Sequence, residues 1–363
     1  MWGSTLADIN SVDLNDLHEY NSRPTDRVLD LIFKRKDDTI VIYGATGKWM
    51  SDLTEMIFRA IRDTGTTNRK VHIVSRFRNR TEFDERFAKY SDLFILNEVD
   101  LVNARSSDLR DIPDGAQWVI YGVGYKFRTT ETEDEYARLC KLYGNDIPKI
   151  VIDHHRYGAD IVVIGSANGV ELTRVDNQAK DDAPLVPKDN NLYGMSIRDK
   201  EKVVKEILEN NETNNSSKAV ILRGAYMTDF TYGGLEPIII SVLNEKKVDL
   251  TKLTYFNIIG HRDANIYAIL LVNSASNPVT TLNLSGHTVY VRQIAETAGK
   301  VFGKAVRYTG KPADLHLLID GSKLESLYGP PIDSLSDLIH AQIFWIKNKG
   351  YSKTLDHHVG VSM

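Results

Sequence analysis

The chain predicts an α/β fold: a doubly wound parallel sheet with helices on both faces, joined to a smaller C-terminal lobe. Two observations predict it. Up to residue 223, short β-branched apolar runs alternate with segments of helical period, the rhythm of repeated β-α-β units. The first run, at 39–43, ends in a glycine turn that opens into a helix: Gly44, Ala45, Thr46, Gly47, Lys48, Trp49, Met50. The 363 residues, 42% hydrophobic and 26% charged, have the balance of a soluble globular chain large enough for one large or two smaller domains.

In chain order, residues 1–23 are polar and read as a loosely ordered arm. Residues 24–33 have helical spacing and are expected to pack beside the first strand. Strands are expected at 39–43, 70–75, 93–96, 118–121, 161–164 and 219–222. Helices are expected at 51–64, 81–89, 131–143, 147–157 and 193–210. After 223 the rhythm changes to a Tyr/Gly-rich stretch and short elements between polar turns, with helices at 263–275, 289–302 and 333–348. The expected division is an arm (1–23), a dinucleotide-binding domain (24–223) and a mostly substrate-binding lobe (224–363), some of whose elements return to the sheet.

Composition narrows the function. A net charge of −4 with both signs mixed offers no field for nucleic acid or an acidic membrane. The longest apolar run, near 269–272, is too short to span a bilayer. The single cysteine, Cys140, excludes an intramolecular disulfide and a thiolate metal cluster and fits a reducing cytoplasm. No apolar leader-like stretch opens the chain, so a cytoplasmic protein is expected. His154 and His155, and likewise His357 and His358, are adjacent pairs without a partner at helical spacing, so no metal site is expected.

The glycine turn brings backbone N–H groups and a helix N-terminus to a phosphate. Met50 stands where the third glycine of that turn normally permits close helix–strand contact, so this helix is expected to stand further from its sheet. The second strand ends with Arg76 and Arg78 and no acid, where an acid would hold a ribose 2′-hydroxyl and arginine a 2′-phosphate. NADP is therefore favoured over NAD. Asp100, after the third strand, is placed to face the adenine. Gly122 and Gly124 end the fourth strand and let a cofactor approach the backbone, and Lys126 follows them.

The fifth strand ends at Ser166, with Asn168 beside it, and Tyr193 opens the next long helix. A tyrosine can exchange a proton with a carbinol oxygen while the serine hydrogen-bonds that oxygen. An unaided phenol, with a pKa of about 10, is a poor base at neutral pH. The usual helper, a lysine four residues on, is here Ile197. Arg198 points to another face, Lys200 shares the face but lies about two turns away, and Lys126 is the expected substitute. Tyr226, Tyr232 and Tyr255 are candidates for a polar pocket.

Together these motifs resemble the extended short-chain dehydrogenase/reductases, the NAD(P)-dependent epimerase/dehydratase family, over residues 23–350. A branch lacking the lysine after the tyrosine resembles this chain most, through Ser75-Arg76-Phe77, Gly124-Tyr125-Lys126-Phe127 and Tyr193-Gly194-Met195-Ser196 with Glu201. The resemblance implies a Rossmann-type domain and chemistry at a carbinol or carbonyl of a sugar-like, often nucleotide-linked, molecule. It implies that residues 44–49 line the pyrophosphate, that Arg76 meets the adenosine end, and that Ser166 and Tyr193 hold the reacting oxygen. It implies that Tyr226 and Asp229 reach substrate or nicotinamide, and that helices near 131–157 and 193–210 form a homodimer. The same fold with a non-redox isomerase, lyase or condensing reaction, or as a cofactor-sensing binding protein, is the alternative.

Overall fold

The computed structural model describes residues 14–125, 130–210, 215–231, 233–251 and 253–350. In chain order its elements are α1 (Leu14–Asn21), α2 (Asp26–Lys34), β1 (Ile40–Tyr43), α3 (Lys48–Asp63), β2 (Val71–Ser75), α4 (Arg80–Phe87), β3 (Phe94–Glu98), β4 (Trp118–Tyr121), α5 (Glu133–Lys141), α6 (Ile147–His154), β5 (Asp160–Ser166), α7 (Leu192–Leu208) and β6 (Lys218–Gly224). The lobe follows with β7 (Tyr226–Thr228), α8 (Glu236–Leu243), β8 (Val248–Asp249), β9 (Tyr255–Gly260), α9 (His261–Leu270), β10 (Thr280–Leu284), β11 (His287–Tyr290), α10 (Val291–Phe302), β12 (Tyr308–Thr309), α11 (Ser322–Tyr328) and α12 (Leu335–Lys349).

Seven strands form one parallel sheet in the order β10-β6-β5-β4-β1-β2-β3. The central strands are apolar throughout because they are covered twice: β1 and β4 are buried at all four positions. Ile40, Ile42 and Trp118 pack toward α2, α3 and α9; Val41, Tyr43 and Val119 pack toward α5, α6 and α7. Strand order reverses between β1 and β4. The crevice above this switch point is where open α/β sheets take ligands.

The lobe has its own core. β9 pairs antiparallel with β11 and parallel with β7, and α8, α10 and α12 cover this small sheet. Two elements after residue 224 reach the large sheet and its helices: β10 extends the sheet beside β6, and α9 packs on α3.

The arm departs from expectation. Residues 14–21 are helical, and they are pinned by partners far away in the chain. His18 and Asn21 bond the buried Asp52 of α3 at 3.0 and 3.1 Å, and the Asn21 carbonyl accepts from Asn265 of α9. α2 packs against α3 and α9, on the face of the sheet to which Ile40 and Ile42 of β1 point.

Tyr20 carries a further tether. Its hydroxyl donates to Asp333, whose neighbour Asp263 accepts from the backbone N–H groups of Ile332 and Asp333. Burial, then the charge of Asp263, push the Asp333 carboxyl up to about 7. A carboxyl raised in the fold above its unfolded value near 3.9 stabilises fully below that value and loses the contribution as pH climbs through 7. Asp333→Asn is therefore expected to gain on the wild type between pH 4.5 and 7.5, by an amount on the order of 2–4 kcal/mol. Urea unfolding of both proteins at the two pH values checks this; a pH-independent difference would contradict it.

Candidate active site

A crevice of about 380 Å³ opens over the C-terminal ends of β1, β2, β3 and β4. Gly44, Thr46, Gly47, Arg76, Arg78, Asp100, Gly122 and Gly124 all line it, so most of the residues expected to hold a dinucleotide do converge. Gly44 has φ +82°, a conformation that favours glycine, and its backbone lies against Gly122. Helix α3 starts at Gly47 with no side-chain cap, which leaves its first N–H groups for an anion.

The other turn residues have different places. Ala45 is buried in the core and does not line the crevice. Trp49 packs partly against that core, and its indole Nε1 is buried without a partner among the described residues. Lys48 is exposed and sits in the field of Asp229, Glu236 and Asp52, on the lobe side of the turn. The surrounding protein still displaces part of the water around its ammonium and lowers it, and those carboxylates oppose the lowering.

Met50 is accommodated by a compensating glycine. The methionine is buried, and a Cβ on Gly122 would stand 2.5 Å from its Sδ. The close approach usually permitted by a glycine on the helix is permitted here by a glycine on the strand. The expected retreat of the helix is thus offset from β4.

At the adenosine end, Phe77 takes a positive φ of 43° and buries its ring edge-on to Phe83 at 5.0 Å. That kink presents Arg76 and Arg78 to the crevice on either side. Glu82, Arg86 and Tyr143 also line it, though spacing in the sequence does not mark them. Glu82 accepts from the Asn79 side chain, and Arg86 pairs with Asp52 and Glu55. Asp100 caps its own turn, accepting from Val102 N and from Asn103.

β5 pairs with β4 and ends at Ser166, on the same edge of the sheet as the crevice. The Ser166 side chain faces the Tyr193 phenol. Burial pushes the Tyr193 phenol up, and the Ser166 side chain opposes this only in part. Asn168, expected with the substrate, instead accepts from Asn191, whose own side-chain oxygen caps α7 at Gly194 N. The three-residue chain fixes the start of α7 and so the position of Tyr193.

Ile197, at the usual lysine position, is buried in an apolar cluster with Ala167 and Val170. Lys200 reaches the gap between β4 and β5, donating to Val123 O at 3.2 Å and Ile164 O at 3.0 Å. Lys126, Tyr232, His357 and His358 lie outside the described residues. Tyr226, on β7, packs edge-on to Phe256 at 5.6 Å within the lobe core, and burial pushes its phenol up to about 12. Asp229 accepts from the backbone and side chain of Thr231 at 2.6 and 2.7 Å, a tight local turn. His154 and His155 are structural: His155 is buried and bonds the Tyr43 hydroxyl at 2.8 Å, and burial holds its ring down at about 3. Among the described residues no three potential ligands gather to hold a metal, and no helix is long and apolar enough to cross a membrane.

No protein-family model matches the chain, and no curated protein does. Solved structures do. UDP-glucuronic acid 4-epimerase from Bacillus cereus, in complex with NAD, is 17% identical with a TM-score of 0.65, over 86% of this chain and 99% of that one. The enzyme WbmG of Bordetella bronchiseptica, in complex with NAD and UDP, is 16% identical with a TM-score of 0.63, over 86% and 94%. A dTDP-glucose 4,6-dehydratase from Bacillus anthracis, in complex with NAD, is 10% identical with a TM-score of 0.63, over 86% and 98%. The chain therefore has the fold of these enzymes: a Rossmann-type parallel sheet carrying a lobe.

Proposed function

We propose that this chain is an extended short-chain dehydrogenase/reductase that binds a nicotinamide dinucleotide and acts as an epimerase, dehydratase or oxidoreductase on a carbinol or carbonyl of a sugar-like molecule. The observation that carries the reading is Ser166 beside Tyr193, at the C-terminal end of β5 and so on the same edge of the parallel sheet as the crevice. The uncapped α3 N-terminus and the backbone contact of Gly44 fit the pyrophosphate, and the unpartnered Trp49 Nε1 offers one further donor. When bound, the nicotinamide accepts or returns a hydride. Tyr193 takes the proton from the carbinol oxygen and gives it back, and Ser166 holds that oxygen in line. Tyr226 and Asp229 of the lobe are the residues proposed to reach the substrate. A cytoplasmic homodimer through α5, α6 and α7 belongs to the same reading, and light scattering at the elution peak measures it.

Arg76 and Arg78 favour NADP, since no acid stands at the end of β2 to hold a ribose 2′-hydroxyl. Fluorescence titration with NADPH and NADH is expected to show tighter NADPH binding. Arg76→Ala should weaken NADPH by about tenfold or more, for the loss of one charge-assisted phosphate contact of about 1.5–3 kcal/mol, and leave NADH nearly unchanged. Equal loss for both would remove the NADP assignment. The buried Ile197 supports a second reading, non-redox isomerase, lyase or condensing chemistry on the same fold. Deuterium at nicotinamide C4 separates the two: its appearance in product means redox.

A further inference from the structure

Lys200 is the one lysine that is buried among the described residues. Its ammonium rests on two carbonyls, Val123 O just beyond β4 and Ile164 O on β5, and lies 5.7 Å from the centroid of the Tyr121 ring. No carboxylate among the described residues pairs with it. The adjacent Glu201 is engaged by Arg223 through two bonds of 2.8 and 2.7 Å. Burying a charge without a counter-charge costs several kcal/mol, which a methionine of similar length would avoid. The placement has no such structural economy, and it coincides with the site. Val123 and Gly124 line the crevice, and Ser166 is two residues beyond Ile164.

An ammonium has three N–H donors. Two are spent on carbonyls, and the third has no acceptor among the described residues. A Cβ on Gly124 would stand 3.9 Å from Nζ, so the glycine keeps the wall thin at this point. Seven residues separate Tyr193 from Lys200, about two turns on one face of α7. The lysine stem, which in a helix leans toward the N-terminus, recovers part of that rise.

We propose that Lys200 supplies the active-centre cation, reaching from the seam of β4 and β5 to a hydroxyl at the nicotinamide end of the bound dinucleotide and favouring negative charge on the Tyr193 oxygen. This rests on the dinucleotide and Tyr193 roles proposed above, and it transfers to Lys200 the part first given to Lys126. Burial holds the Lys200 ammonium down at about 8, so its charge changes within an accessible range. The titratable and charged groups around it are Tyr121 on β4, Glu201 on its own helix and, through Glu201, Arg223 on β6.

The test is NADH and NADPH affinity of the full chain, by fluorescence, from pH 6.5 to 9.5. If a bound dinucleotide raises the lysine's pKa by about one unit, affinity falls about tenfold across the titration. Wild type and Tyr193→Phe are expected to show that fall. Lys200→Gln, which keeps donors but no charge, should bind about tenfold more weakly at pH 7 with a flat profile. Lys200→Arg should bind well with a flat profile. A flat wild-type profile, or Lys200→Gln with wild-type affinity and slope, overturns the role of Lys200 while dinucleotide binding stands. A wild type that binds neither nucleotide overturns both. A purely structural lysine would lower the melting temperature of Lys200→Gln and leave the slope in place. If that variant does not fold by circular dichroism, the wild-type and Lys200→Arg profiles decide.

Discussion

Tyr193→Phe is expected to cut turnover by about 10²–10⁴-fold, the usual worth of a positioned general acid–base, with dinucleotide affinity nearly unchanged. The phenol faces the Ser166 side chain, and burial raises its proton affinity. Removing the hydroxyl removes the proton's only seat while the ring still fills its place beside Ala167 and Val170. Ser166→Ala should fall short of that loss, since it takes away one bond to the reacting oxygen, and the double variant should lose little beyond Tyr193→Phe. Single-turnover rates on any carbonyl compound or nucleotide sugar that the protein converts provide the measurement. Turnover by Tyr193→Phe within a few-fold of wild type would remove the acid–base assignment.

The largest expected effect on stability is at Glu201. Arg223 of β6 donates to both its carboxylate oxygens and to the carbonyls of Asp181 and Ala183, and both side chains are almost fully buried. Glu201→Ala leaves a buried guanidinium without its anion, which costs about 3–5 kcal/mol, a large share of a typical 5–15 kcal/mol. The paired change Glu201→Leu with Arg223→Met is expected to be close to neutral, because the desolvation of both charges goes with them. Urea midpoints of the single and double variants check this. A single variant within about 1 kcal/mol of wild type would mean that Arg223 finds another anion.

The six strands up to 224 were legible because each is a short run rich in apolar residues, those at the centre of the sheet being buried on both faces. Their local sequence carries the whole signal. The seventh was not: Thr280–Leu284 joins β6 only after more than fifty residues of lobe, and nothing local reports that crossover. The same holds for α1, whose polar face looks loose until His18 and Tyr20 meet Asp52 and Asp333, 34 and 313 residues away. The lining of the crevice at Gly44, Gly47, Arg76 and Arg78 was legible through the fixed spacing of a turn and a strand end. Lys200 was not, since its partners come from two strands, 77 and 36 residues back. The bond of Asn168 to Asn191 was not legible for a related reason: its partner lies 23 residues on, at the cap of α7.

The contact between Met50 and Gly122 ties two distant positions to one inheritance. Glycine at 50 with Gly122 retained would leave a void, while alanine at 122 with Met50 retained would overfill the same space; each costs on the order of 1–3 kcal/mol alone. Only a simultaneous exchange of the larger residue from helix to strand keeps the volume, so the two sites are strongly non-additive. A lineage with one arrangement reaches the other only through a weakened ancestor. Counting glycines in the turn is consequently a poor census of chains that can hold a dinucleotide: the missing one has to be sought across the sheet, at the end of the neighbouring strand.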